Sequence, residues 1–178
     1  MRIVSGNFRG RSFQLPKNLK ARPTTDFAKE NLFNILSNRL DFEELRVLDL
    51  FAGTGSIGFE FLSRGVKSVA FVEQYAPHVR FIQEVAHKLN VANCTVVNGD
   101  AYRFISSSGV KFDLIFADAP YADEKMSNIP DLIFASGLLA EDGLLLVEHG
   151  KATDFSQHPF FKEMRKYGSV HFSFFEKD

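Results

Sequence analysis

"VLDLFAGTGSIG", residues 47–58, decides the fold. The apolar run Val47–Leu50 enters a turn with glycine at positions 53, 55 and 58, and an apolar segment with helical spacing follows. The stretch reads as strand, tight turn and helix, with the helix running from Ile57 to Arg64 and stopped by Gly65. Gly53, Gly55 and Gly58 match G-x-G-x-x-G, in which glycine lets backbone N–H groups approach a ligand and the next helix presents its N-terminus. Any nucleotide-type cofactor can use such a turn, and so can a ligand-free tight turn.

The residues around the turn narrow the choice. Asp49 stands inside the strand, four residues before Gly53. A carboxylate there repels a pyrophosphate but suits a ligand carrying an ammonium or a sulfonium, and S-adenosylmethionine carries both. Glu73 ends the next strand, where an acid can bind both ribose hydroxyls. Asp100 follows the third strand, placed to accept from an adenine amino group. Phe51 and Ala101, beside the glycine turn and Asp100, complete the expected cofactor contacts. Three acids at the C-terminal ends of three successive strands converge on the crevice where open α/β sheets bind ligands.

Strands and helices alternate along the rest of the chain. "RVLDLF", "SVAFVE", "CTVVN", "FDLIFAD" and "GLLLVEH" read as strands, and Val79, Ile82, Ala86 and Leu89 share one helix face. Shorter helices are expected near residues 101–106 and 129–136, and "FKEMRKYGSVHFSFFEK" reads as two strands turning at Gly168. Near-continuous apolar strands indicate a mostly parallel sheet covered on both faces, an α/β fold, with an antiparallel edge from the terminal hairpin. Ahead of the sheet, Thr25 or Asp26 can cap a helix carrying Ala28, Leu32, Ile35, Leu36 and Leu40.

The chain has 178 residues, 45% of them hydrophobic and 24% charged, which suits one domain with a full core. Met1 leads into a polar, basic stretch, so no signal peptide is expected, and no run approaches the roughly 18 apolar residues of a membrane span. Cys94 is alone and the five histidines show no ligand spacing, so neither a disulfide framework nor a metal site is expected. A cytoplasmic monomer is the expectation.

The net charge of −1 conceals a polarity. Residues 1–25 carry Arg2, Arg9, Arg11, Lys17, Lys20 and Arg22 and no acid, which leaves 15 basic residues against 22 acids, −7, on residues 26–178. Within this arm "RIVSG" and "RSFQLP" read as a β-hairpin joined by Asn7–Gly10. A basic arm on an acidic body reads as an anion-binding element or as a solvated extension. In the first case it docks RNA and leaves cofactor binding to residues 26–178.

The fourth strand delivers "DAPY", residues 118–121, to the same crevice. It resembles the [DN]-P-P-[YF] motif of methyltransferases that modify an exocyclic or amide nitrogen. That resemblance gives Asp118 and the Ala119 carbonyl as acceptors of the two amine N–H groups and Tyr121 as a ring stacked on the base. Ala119 departs from the usual first proline, but the contact needs only a main-chain carbonyl, and Pro120 keeps Ala119 extended.

The likeness spans the chain. "MRIVSGNFRGRSFQLP", "RPTTDFAKENLFNIL", "VLDLFAGTGSIGFEFLSRG", "DAPY", "LLLVEHG" and "KYGSVHFSFF" fall in the order found in the RsmD family of bacterial 16S ribosomal RNA guanine-N2 methyltransferases. The resemblance implies a Rossmann-like class I methyltransferase fold with seven strands ordered 3-2-1-4-5-7-6. It implies S-adenosylmethionine as cofactor and the N2 of guanine 966 in the small ribosomal subunit as target. It also implies RNA contacts from Arg2, Arg9, Arg11 and Arg22, with Arg22 and Thr24 where the arm meets the crevice. Other activities fit less well. An NAD-dependent dehydrogenase has no use for D-A-P-Y, a DNA-adenine methyltransferase needs a target-recognition insert, and a protein-glutamine methyltransferase more often carries Asn at 118. A non-catalytic RNA-binding module is the remaining alternative.

Overall fold

A computed structural model of the protein describes residues 1–16, 19 and 24–177. In chain order these form α1 (Asp26–Ser37), β1 (Arg46–Leu50), α2 (Ser56–Ser63), β2 (Ser68–Glu73), α3 (Ala76–Leu89), β3 (Cys94–Asn98) and α4 (Ala101–Ser107). They continue through β4 (Phe112–Ala117), α5 (Ile129–Ser136), β5 (Leu139–His149), β6 (Phe161–Tyr167) and β7 (Val170–Phe175).

The sheet has the order β3-β2-β1-β4-β5-β7-β6. β1 to β5 run parallel, and β7 inserts antiparallel between β5 and the edge strand β6. This is the order that the resemblance implies. The chain reverses its direction of travel between β1 and β4, which opens a crevice beyond their C-terminal ends.

The periodicity set most boundaries. Thr25 caps α1, its hydroxyl accepting from the Ala28 N–H at 3.1 Å. Gly65, at φ 85°, closes α2 by sending its own N–H to Leu62 O, while Val66 N reaches Phe61 O. Some bounds moved. β1 ends at Leu50 because Phe51 turns into the left-handed region at φ 59°. β5 begins at Leu139, four residues before the expected run, because Leu139 already pairs with Phe112 across an irregularity in the register. Leu40 lies beyond α1, though its N–H still bonds Leu36 O.

The arm is a short hydrogen-bonded hairpin: Ile3 N donates to Arg11 O, Gly10 N to Ile3 O and Phe13 N to Met1 O. One antiparallel bridge, Arg2 with Ser12, takes the place of two strands. Its turn is also held to α2, where Asn7 N and Phe8 N donate to Ser63. Ile3 and Val4 are buried, and Ile3 joins the core on the sheet face covered by α1, α2 and α3. Leu32, Phe33, Phe59, Phe61, Phe71 and Phe172 fill that face, and the ring centroids of Phe33 and Phe61 stand 4.7 Å apart edge to face. On the opposite face α4 and α5 cover Leu48, Ile115, Leu145 and Phe175. Phenylalanine thus supplies the bulk that tryptophan gives other cores, each fully buried ring stabilising the fold by about 1.5–3 kcal/mol. Among the described residues no helix is long and apolar enough to cross a membrane.

Candidate active site

The crevice is a cavity of about 610 Å³, within the range of small-molecule sites. The turn between β1 and α2 forms one wall. Gly53, at φ 55°, sits where a side chain is strained, and its N–H donates to Glu73 Oε2 at 2.7 Å. Gly58 N donates to Asp49 Oδ2 at 2.9 Å, so the strand carboxylate holds the first turn of α2. Gly58 is glycine for packing, because a Cβ there would stand 2.1 Å from the Phe71 ring.

Of the twelve residues expected to hold cofactor or substrate, eleven line the cavity: Thr24, Asp49, Phe51, Gly53, Glu73, Asp100, Ala101, Asp118, Ala119, Pro120 and Tyr121. Gly55 does not. It lies beneath the turn at φ 74°, where a Cβ would meet Phe59, Ile82 and Phe71 at 3.0–3.1 Å, so packing rather than ligand contact demands glycine.

Asp49 is 2% exposed. Burial pushes its carboxyl up to about 8; the Gly58 N–H opposes the shift and the neighbouring Glu73 adds to it. Glu73 accepts from Gly53 N with one oxygen and from Tyr75 N with the other, both at 2.7 Å, and keeps lone pairs for a ligand hydroxyl. Asp100 caps α4, taking the Arg103 N–H at 2.8 Å on one oxygen. Its second oxygen has no such duty in the cap.

At the opposite wall Asp118 N donates to Leu50 O at 3.4 Å, which ties the start of "DAPY" to β1. Ala119 is buried and Tyr121 is 40% exposed. A tight turn follows, Asp123 N donating to Pro120 O, and Tyr102 OH fixes Asp123 Oδ2 at 2.8 Å. Thr24 is buried and donates to Glu148 Oε2 at 3.2 Å, joining the end of the arm to β5.

Arg2 pairs with Asp26 at 3.0 Å, which ties it to α1, while Arg9 and Arg11 are exposed. Arg22, with Lys17 and Lys20, lies outside the described residues. No group of three or more metal-ligating side chains occurs among the described residues.

Three site residues escaped the sequence reading. His78 lines the cavity with a buried Nε2 that has no hydrogen-bond partner, and its Nδ1 stands 3.9 Å from Glu73 Oε1. Tyr75 lines the rim with its ring edge to face on His78. Ser56, the first residue of α2, lines the cavity floor. His78 was detectable as the third residue of the helix that follows the strand-end acid. Ser56 was not, because a polar residue opening a helix reads simply as a cap.

The family model described as conserved hypothetical protein 95, the RsmD family, matches residues 1–176. The chain belongs to the RsmD family. Among its curated relatives, YlbH of Bacillus subtilis, whose name provisionally makes it an rRNA methyltransferase, is 35% identical over 161 residues, with 86% of this chain and 85% of the relative covered. The ribosomal RNA small subunit methyltransferase D of Escherichia coli K12 is 34% identical over 149 residues, covering 83% and 74%. Among solved structures, the hypothetical protein TTHA0928 of Thermus thermophilus superposes with a TM-score of 0.86 at 29% identity over 99% of both chains. A Thermus thermophilus 16S rRNA N2 G1207 methyltransferase, solved with S-adenosylmethionine and guanosine, shares the fold alone, with a TM-score of 0.70 at 20% identity. This RsmD-family chain therefore has the Rossmann-like S-adenosylmethionine-dependent methyltransferase fold. Its cavity lies at the switch point of the sheet, where that architecture binds ligands.

Proposed function

We propose that this RsmD-family protein transfers the methyl group of S-adenosylmethionine to the exocyclic N2 of a guanine in 16S ribosomal RNA, at position 966 of the small subunit. One observation carries the proposal: "DAPY" and the glycine turn face each other across a single cavity, with Asp49, Glu73 and Asp100 on the side of the turn.

The residues present fit the cofactor. A buried carboxyl pushed up to about 8 is relieved by a cationic ligand, which favours its ionised form. The orphaned His78 Nε2 beside Glu73 has the chemistry to bond a ribose hydroxyl. S-adenosylmethionine supplies an activated methyl on a sulfonium, so the protein's task is mainly positioning.

Asp118 and the Ala119 carbonyl accept the two N2–H bonds of the guanine. The lone pair, otherwise delocalised into the ring, is then free to attack. As the N–CH3 bond forms the S–CH3 bond breaks, and one N–H proton leaves to the Asp118 carboxylate or to water. Tyr121, at the cavity mouth, stacks on the extruded base. Arg9 and Arg11, with Arg22, meet the RNA backbone, and Arg2 does so less because Asp26 engages it.

The test is methyl transfer from radiolabelled cofactor to small subunits taken from cells lacking the protein, followed by nuclease digestion. Label in N2-methylguanosine from one site supports the proposal. Label in another nucleoside, or in protein, sinks it.

A further inference from the structure

Arm residues 2–8 lie along one stripe of α2. Val4 N donates to Glu60 Oε1 at 2.7 Å, Asn7 N to Ser63 O at 2.6 Å and Phe8 N to Ser63 Oγ at 2.9 Å, while Ser63 Oγ donates to Ser5 O at 2.5 Å. Ser56, Glu60 and Ser63 are spaced i, i+4 and i+7, so they share one side of the helix. Gly6 permits the approach, since a Cβ there would stand 2.0 Å from Ser63 O.

At the other end of the stripe the contact runs through Lys29 of α1. Its ammonium, 2% exposed, donates to Arg2 O at 2.6 Å and to Ser56 Oγ at 3.2 Å, and meets Glu60 Oε1 at 3.4 Å. Glu60 is fully buried and also pairs with Arg64. One buried ammonium therefore grips both the arm backbone and the residue that opens α2 on the cavity floor.

We infer that Lys29 and the seated arm form a positioning unit for the cofactor turn, so that arm seating and cofactor binding reinforce each other. The inference rests on S-adenosylmethionine occupying the cavity. Lifting the arm takes the Val4 N–H from a fully buried carboxylate and the Arg2 carbonyl from a buried ammonium. Both losses leave charged groups under-partnered: the first falls on Glu60 of α2, and the second on Lys29 of α1, whose ammonium also holds Ser56 at the start of α2. A shift of that helix moves the backbone N–H groups that line the cavity. Coupling of this kind is reciprocal: whatever holds the arm down tightens the cofactor, and the cofactor holds the arm down. RNA that engages the exposed Arg9 and Arg11 on the seated arm then raises cofactor affinity.

Gly6→Ala separates arm seating from the cavity, because Gly6 touches neither the cavity nor Lys29. Calorimetry with S-adenosylhomocysteine should show affinity reduced about fivefold or more, the lower end of ordinary coupling between sites. Lys29→Gln should reduce it similarly and Lys29→Arg should restore most of it. In the wild-type protein the ligand should slow amide exchange at Val4, Asn7 and Phe8 more than in β7. Unchanged affinity in a folded Gly6→Ala variant whose Val4 and Asn7 amides have lost protection overturns the inference. So does equal slowing of the arm and β7, a measurement that needs no variant. A wild-type protein that fails to bind the ligand overturns the cofactor assignment, and this inference with it.

Discussion

The ring of Tyr121 lies against the backbone of Gly150, where a Cβ would stand 3.0 Å from Tyr121 Cε2. Gly150 is itself held. His149, fully buried, donates from Nδ1 to the Gly150 carbonyl at 2.9 Å and accepts at Nε2 from the Ser173 hydroxyl at 2.8 Å. The tautomer follows from the carbonyl, which can only accept. The aromatic ring at the cavity mouth thus rests on a fixed surface.

Gly150→Ala should therefore push the Tyr121 ring aside and leave the fold intact, because that ring is 40% exposed and can swing. Stability should change by about 0.5 kcal/mol or less. Methyl transfer should fall toward the level of Tyr121→Ala, which forfeits a stack of about 1–3 kcal/mol. Tyr121→Phe should stay near wild type. Steady-state assays on small subunits, paired with thermal unfolding, check all three variants.

Asp118→Ala should slow single-turnover methyl transfer by about 10²–10⁴-fold while cofactor affinity stays within a few-fold of wild type. Asp118→Asn should lose less if only an acceptor is required, and as much if the carboxylate also takes the proton. Normal turnover in the alanine variant would leave the proposed role without support.

Cofactor binding should release a proton from Asp49. Its carboxyl is raised to about 8 in the folded protein, so in the empty cavity it is protonated through the neutral range. A cation beside it favours the ionised form. Uptake of S-adenosylmethionine near pH 7 should therefore release close to one proton, and affinity should rise with pH up to about 8 and flatten above it. Calorimetry in buffers of different ionisation enthalpy measures the release, and Asp49→Asn should abolish it. Equal release in that variant would assign the proton to another group.

Gly58→Ala should damage stability and cofactor binding together. The new methyl would meet the Phe71 ring at 2.1 Å, inside a core where the ring has nowhere to go. Overpacking of this kind costs about 1–3 kcal/mol, and the strain displaces the helix whose amide holds Asp49. Chemical denaturation and cofactor titration on one sample would show both losses.

Arg9→Gln with Arg11→Gln should flatten the salt dependence of RNA binding. If each arginine meets one phosphate of single-stranded character, the slope of log K against log salt should fall in magnitude by about 1.4. Arg2→Gln should change it less, because its pairing with Asp26 competes with phosphate. An unchanged slope in the double variant would leave the exposed arm without a docking role.

Local chemistry made much of this protein legible in its sequence. Parallel strands buried on both faces must be continuous apolar runs, so β1, β2 and β4 could be read to within a residue of their bounds, and a glycine turn after the first strand marked the crevice. Acids at strand ends and "DAPY" are short-range signals, and they converge because the C-terminal ends of parallel strands lie side by side. Tertiary structure decided what depends on partners distant in sequence. The arm carries the alternation of a hairpin and bonds across it from Ile3, Gly10 and Phe13, but Val4, Asn7 and Phe8 turn their amides to Glu60 and Ser63, more than fifty residues away, and one bridge stands where two strands were expected. Gly55 and Gly58 belong to one motif with Gly53, but only the packing of Phe71 against them shows that they are small for the core and not for a ligand. Lys29 is one charged residue among others on α1. It is buried because α2 brings Glu60 and Ser56 to it and the arm brings a carbonyl, and no spacing along the chain encodes that meeting.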